Sequence, residues 1–179
     1  SNSSAFDGGG INSPGSLTVR RSVISGNTAS YGDSDGSLGD GGGIFATSKL
    51  EIIDSEIKQN EAIYFGGGIH SNYGNSTIVN STIDVNKAKE GGCIAAGLFT
   101  EITNSTVSNN EASSVGGGIE VGGFEGRLVI SNSTISNNTA VVGGGGIYDT
   151  TVQDFSRISN STITGNSAPA GGGIEGKYS

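Results

Sequence analysis

A short glycine-rich string recurs along the whole chain and limits what it can fold into. The string is Gly-Gly-Gly-Ile or a near copy of it, and successive copies lie 33, 25, 25, 25, 28 and 27 residues apart. The copies end at Ile11, Ile44, Ile69, Ile94, Ile119, Ile147 and Ile174. A period near 25 residues indicates an array in which each repeat forms one structural unit.

A second marker runs in phase with the first. It is an apolar residue three positions before an Asn, with an Ala two positions after that Asn. The asparagines of this marker are Asn27, Asn60, Asn86, Asn110, Asn138 and Asn166. Each Asn precedes the next repeat isoleucine by eight or nine residues, except for one gap of 17. Two markers in phase show that the repeat is structural.

The residues between the markers favour β-strands. In segments such as Leu50-Glu51-Ile52 and Thr162-Ile163-Thr164, apolar and polar side chains alternate, as expected for a strand with an inward apolar face and an outward polar face. Helical repeats need helix formers, and this chain has 33 glycines among 179 residues. The sequence therefore predicts an all-β, single-stranded parallel β-helix of about six coils, with three short strands in each coil. It predicts one domain over residues 1–179.

Stacking of coils explains the unusual composition. A single coil is too thin to bury a core, but stacked coils place isoleucine on isoleucine in columns. Glycine suits the corners, where the backbone turns tightly or passes close to its neighbour. The repeated asparagines are interpreted as a ladder of stacked amides. A second, partial ladder is predicted six residues earlier, at Asn80, Asn104, Asn132 and Asn160.

Charge and composition exclude several classes of protein. A formal charge of −8 argues against a nucleic-acid partner, because such binding requires Lys and Arg to neutralise phosphates. No apolar run of 18 residues exists, so no membrane span is predicted in this chain. Cys93 is the single cysteine and is expected to pack as a small hydrophobic residue.

The ends of the chain suggest assembly. Asn2 lies nine residues before Ile11, so the chain begins part-way round a coil, and no capping helix is visible. Uncapped solenoid ends expose strand edges that recruit further strands. We expect either a piece of a longer array or end-to-end stacking on other copies.

The paired markers resemble the repeats of a known family. Gly-Gly-x-Ile together with apolar-x-x-Asn is similar to the repeats of polymorphic outer membrane proteins and of related autotransporter passengers. Cys93 occupies one of the glycine positions, and Ile replaces the Phe of the family's Phe-x-x-Asn motif. The resemblance implies a right-handed parallel β-helix, which agrees with the general rule for parallel crossovers. It also implies a secreted or surface-displayed protein of a bacterium.

An Asp-rich insertion in the first coil is a candidate Ca²⁺ loop. Asp33, Asp35 and Asp40 offer alternating oxygen ligands around Gly36. Position 44, where an EF-hand would need Glu, is Ile, so that motif is absent. The alternative is an ordinary solvated loop without a bound metal. No other cofactor is expected.

A second insertion, near residue 150, is the candidate ligand site. Tyr148, Asp149, Asp154 and Phe155 combine aromatic rings with carboxylates, as a glycan site requires. No residue is assigned a catalytic role, because no acid–base group recurs or converges elsewhere. His70, the only histidine, is predicted to lie on the surface without a catalytic partner.

Two further patterns receive a structural interpretation. Thr82, Thr106, Thr134 and Thr162 align in a column, as in β-solenoid ice-binding proteins, but ordinary strand propensity explains them as well. Most of the Asn-Ser-Thr triplets belong to the repeat itself. The leading hypothesis is thus a non-enzymatic extracellular rod: an adhesin stalk, a passenger domain or a self-stacking fibre subunit with a host-surface or glycan ligand. The alternatives are a carbohydrate-active enzyme or glycan-binding module and, third, an ice-binding protein.

Overall fold

The computed structural model describes residues 2–4, 6–30, 39–123, 126–151 and 156–176. Within these ranges the chain forms 25 short β-strands and no helix. The strands form four sheets, and every pairing between named strands is parallel. The molecule is therefore a β-solenoid of about six turns, as the sequence predicts.

Each full coil contributes one strand to each sheet, in the chain order B, C, D, A. Sheet B contains β2 (Ile11–Ser13), β6 (Ile44–Ala46), β10 (Ile69–Ser71), β14 (Ile94–Ala96), β18 (Ile119–Val121), β22 (Ile147–Asp149) and β25 (Ile174–Gly176). Sheet C contains β3 (Leu17–Arg20), β7 (Leu50–Ile53), β11 (Ser76–Val79), β15 (Phe99–Thr103), β19 (Arg127–Ser131) and β23 (Arg157–Ser159).

Sheet D contains β4 (Val23–Ser25), β8 (Glu56–Lys58), β12 (Thr82–Asp84), β16 (Thr106–Ser108), β20 (Thr134–Ser136) and β24 (Thr162–Thr164). Sheet A contains β1 (Ser3–Ser4), β5 (Thr28–Ala29), β9 (Glu61–Ala62), β13 (Lys87–Ala88), β17 (Glu111–Ala112) and β21 (Thr139–Ala140). The sequence predicts three strands per coil, and the strands of sheet A are the fourth. They were missed because two residues are too few to show an alternating pattern.

The core consists of columns of inward side chains, and each coil contributes one side chain to each column. Ile69 pairs with Ile94 and Ile94 pairs with Ile119, and all three are fully buried. On sheet D the same relation joins Ile83 to Val107. The parallel register stacks similar aliphatic residues on one another because every coil repeats the same inward positions.

The repeat asparagines form a buried hydrogen-bonded column between sheets D and A. The main-chain N–H and the Nδ2 of Asn110 both donate to Oδ1 of Asn138, at 3.0 and 2.9 Å. Nδ2 of Asn110 also donates to the carbonyl of Ile83, two coils away from Asn138. The same pattern links neighbours from Asn2 to Asn166. Each amide therefore joins its own coil to the coils on both sides.

The predicted second ladder is not a hydrogen-bonded ladder. Asn80, Asn104, Asn132 and Asn160 are exposed and have φ near +50°. Among the described residues, the one side-chain bond of this set runs from Asn80 Nδ2 to Asp54 Oδ1. Asn recurs here because it tolerates left-handed backbone better than other non-glycine residues do.

Removing one amide from the buried column should cost more than removing an exposed one. Asn110→Ala leaves two donors of Asn86 and the carbonyl of Ile83 without their partner. Because each buried group left unpaired costs about 1–3 kcal/mol, we expect a loss of at least about 3 kcal/mol in the free energy of unfolding. Urea denaturation measures this loss. The control is Asn75→Ala, at an exposed position, and equal losses in the two variants would contradict the prediction.

Candidate functional site

The outward side of sheet B carries the most varied side chains in the repeat. Its central strand residues stack in one column, which we call the outer column. The outer column comprises Asn12, Phe45, His70, Ala95, Glu120, Tyr148 and Glu175. A second column lies beside it, formed by the residue that precedes the glycine turn of each coil. This turn column includes Asp40, Phe65, Glu90 and Val115.

A buried histidine–carboxylate pair spans these two columns in the second and third coils. His70 Nδ1 lies 3.1 Å from Asp40 Oδ2, and both side chains are about nine-tenths buried. The rings of Phe45 and Phe65 each lie 5.3 Å from the imidazole, and the Phe65 N–H donates to Asp40 Oδ1. The prediction of a surface histidine was wrong, because these two phenylalanines cover a side chain that points away from the core.

The same diagonal brings two glutamates together two coils further on. Glu90 and Glu120 occupy the positions that Asp40 and His70 occupy earlier. Glu120 is partly buried, and burial, with Glu90 and Asp149 nearby, raises the pKa of its carboxyl to about 8. Oε1 of Glu120 lies over Gly122, next to the Thr150 hydroxyl. A carboxyl at this site is therefore largely protonated at neutral pH.

Tyr148 and Asp149 border this carboxyl. Tyr148 pairs in register with Glu120 on one side and with Glu175 on the other. Asp149 accepts a hydrogen bond from the Thr151 N–H at 3.0 Å. Glu175 Oε2 is buried, has no hydrogen-bond partner among the described residues, and fills the space above Gly143, which has no side chain. Among the described residues, this side of the coils thus carries four carboxyl groups, those of Glu90, Glu120, Asp149 and Glu175, and the phenol of Tyr148.

The remaining predicted site residues are only partly placed. Asp33, Asp35, Asp154 and Phe155 lie outside the described residues. Asp40 is described, and its carboxylate contacts His70 and the Phe65 N–H. In the described ranges, no three His, Cys, Asp or Glu side chains are arranged to hold a metal ion. Ca²⁺ binding by the Asp-rich loop therefore stays a prediction.

Other outward faces are regular. On sheet A, Lys87 lies between Glu61 and Glu111, and its Nζ is 2.8 Å from Glu111 Oε2. A depression of about 270 Å³ lies beside this pair. On sheet D, Thr82, Thr106, Thr134 and Thr162 stack in register, while Val23 and Glu56 occupy the same column in earlier coils. Ice binding by this column stays a prediction.

Sequence reasoning missed Glu120 and Glu90. Neither recurs at its column position, so the search for repeated residues did not select them. The available signal was the diagonal itself: a residue before the glycine turn lies beside the outer-column residue of the following coil. Applying that offset to the aligned repeats would have paired Glu90 with Glu120 and Asp40 with His70.

One repeat of the chain matches the model of a known family. Residues 132–150 match the Chlamydia polymorphic membrane protein (Chlamydia_PMP) repeat. The matched segment fits a β-helix repeat of the polymorphic membrane protein type. The matched segment contains both markers of the repeat, Ile135 with Asn138 and the glycine turn that ends at Ile147. The neighbouring coils align with the matched segment through the strand register.

No curated protein and no solved structure gives a significant match to this chain. Among the residues that the structure describes, no helix has the length and apolar character needed to cross a bilayer.

Glu120 should make the stability of the rod depend on pH. Its pKa is about 8 in the folded chain against 4.5 in the reference state, so the folded chain retains a proton that the unfolded chain releases. The stabilising effect of that proton is complete below about pH 4.5 and is lost as the pH rises towards 8. Between pH 5 and pH 8.5, we expect the free energy of unfolding of Glu120→Gln to decrease less than that of the wild type. Urea midpoints measured at the two pH values test this. Glu101→Gln on sheet C is the control, and an identical pH profile in wild type and Glu120→Gln would contradict the assignment.

Proposed function

We propose that this chain is a non-enzymatic structural rod on the outer surface of a bacterium, with an adhesive role for its outward columns. The observation that carries the proposal is that the recurring residues form the contacts between coils, whereas the outward residues differ from coil to coil. In the interior coils, the recurring Ile, Asn, Gly and Ala positions are buried in contacts between coils. The residues left to vary are those of the outward columns, so the repeat builds a rigid support and leaves its surface free to change.

The family match supports the surface setting. Polymorphic membrane protein repeats belong to outer-membrane and surface proteins, and a stack of such coils is extended along one axis. A net charge of −8 favours solubility and keeps like molecules apart laterally. These features suit a stalk or passenger domain that holds its binding surfaces at a distance from the cell.

Surface display can be tested on the bacterium that makes the protein. Antibodies raised against the folded chain should label intact cells as strongly as permeabilised cells, and protease added to intact cells should remove the signal. A cytoplasmic protein measured in the same cells is the control for leakage. Labelling that requires permeabilisation would contradict display.

For the adhesive role, beads coated with the purified chain should bind host cells and uncoated beads should not; equal binding would count against adhesion.

A glycan-active site is the second candidate function, and the carboxyl group of Glu120 favours it. Its raised pKa differs from the ordinary behaviour of a carboxylate, and Asp149 and Tyr148 lie beside it. A carboxyl group that holds its proton at neutral pH can act as the acid on a glycosidic bond, with a second carboxyl group nearby as its partner. In this candidate, Glu120 donates the proton and Tyr148 contacts the sugar.

A panel of acidic and neutral glycans separates the two candidates. The structural rod predicts no turnover on any member, with or without Ca²⁺. The glycan candidate predicts turnover that Glu120→Gln abolishes and that Glu101→Gln, on a different sheet, leaves intact. Turnover insensitive to Glu120→Gln would place any activity elsewhere.

A further inference from the structure

One inward column of sheet C changes from apolar to polar in the middle of the rod. In the second and fifth coils its residues are Leu50 and Leu128, and both side chains are fully buried. In the two coils between them the same position holds Ser76 and Thr100. The strand register is continuous through all four residues, so the serine and the threonine point into the core as the two leucines do. We call these four positions the leucine column.

Both hydroxyl groups of the leucine column are buried without a protein partner. Ser76 is fully buried, and Thr100 is 1% exposed. Neither Ser76 Oγ nor Thr100 Oγ1 makes a hydrogen bond with any of the residues that the structure describes. A hydroxyl that leaves solvent without gaining a partner lowers the stability of a protein, so the large majority of buried hydroxyls bond another protein group or an internal water. These two hydroxyls therefore indicate a polar partner inside the core.

The side chains around these hydroxyls are small. The leucine column accommodates a complete leucine at Leu50 and at Leu128, and serine and threonine are both smaller than leucine. The last inward position of sheet B, which precedes the corner to sheet C, does not compensate, because it holds Ser71 in the third coil and Ala96 in the fourth. The corner between sheets B and C therefore contains less side-chain volume in the third and fourth coils than a leucine would supply.

The spacing of the coils suits a water molecule between the two hydroxyls. Ser76 and Thr100 pair in register on adjacent parallel strands, and the main chains of such strands lie about 4.8 Å apart. A water that makes two hydrogen bonds of about 2.8 Å at a tetrahedral angle joins oxygen atoms about 4.6 Å apart. Internal waters need at least two polar partners, and two hydroxyls that can each donate or accept meet this requirement.

We propose that Ser76 and Thr100 form a binding site for one internal water molecule in the core between the third and fourth coils. The water bridges Ser76 Oγ and Thr100 Oγ1 and occupies the volume that leucine fills in the flanking coils. A bound ion does not suit this site, because two neutral hydroxyls cannot balance a buried charge, and an apolar ligand would leave both hydroxyls unpaired. The proposal is independent of surface display and of adhesion, since both side chains lie inside the rod.

Magnetic relaxation dispersion of the solvent water tests the site, because it counts internal waters that exchange slowly with the bulk. We expect the wild-type chain to hold one more such water than the double variant Ser76→Ala/Thr100→Val, which removes both hydroxyls and adds no volume that could displace a water. Thr77→Val is the matched control, since Thr77 lies next to Ser76 on the outward side of the same strand, and it should retain the wild-type count. A double variant with the wild-type count would overturn the proposal, as would a control that loses the water.

A variant that fills the site provides a second measurement, also if the first double variant does not fold. Ser76→Leu/Thr100→Leu extends the leucines of the flanking coils through the third and fourth coils. We expect this variant to lose the same one water and to melt at a higher temperature than the wild type, because apolar side chains then replace two buried hydroxyls. A folded leucine variant that keeps the wild-type water count, or that melts below the wild type, would contradict the proposal by showing that no water-sized volume lies between these residues.

Discussion

The structure depends on contacts between coils, because no coil can bury its own inward side chains. Ile94 is covered by Ile69 on one side and by Ile119 on the other, and all three are fully buried only as a stack. The asparagine column adds a polar counterpart to these apolar columns. A buried amide is costly unless its donors and acceptor are all satisfied, and the coils above and below Asn110 satisfy them. The same amide that stabilises one rung therefore fixes the register of two others.

The glycine turn is the second consequence of close stacking. At Gly146 a side chain would meet the backbone of the next coil, so the absence of Cβ is a requirement of approach rather than of flexibility. Cys93 is an exception, since it carries a side chain at the equivalent position and is fully buried. The pKa of its thiol is raised well above the ordinary value by burial, which keeps the sulfur in its uncharged form.

The repeat in the sequence predicts the architecture because the same columns determine both. The alignment of Ile69, Ile94 and Ile119 follows from spacing alone, and the strand register confirms it. The site was harder to predict, since it depends on a diagonal between a turn and the outer column of the following coil. His70 was assigned to the surface because its neighbours in sequence do not reveal that Phe45 and Phe65, one repeat earlier and in the preceding turn, cover it. The exposed asparagines were predicted to form a ladder because their spacing matches the repeat, yet that spacing reflects a shared left-handed backbone instead.

The separation between buried and outward columns explains how one fold can carry different chemistry along its length. The outer column changes from aromatic and histidine in the second and third coils to carboxyl groups in the fifth and seventh, while the inward isoleucines beneath it remain the same. A substitution in the outer column alters a local surface without disturbing the register that other coils need. Charged groups can therefore lie close together there, and at Glu120 burial first, with Glu90 and Asp149 nearby, raises the pKa of the carboxyl to about 8. The stacking that makes the rod rigid is thus also what holds like charges near one another.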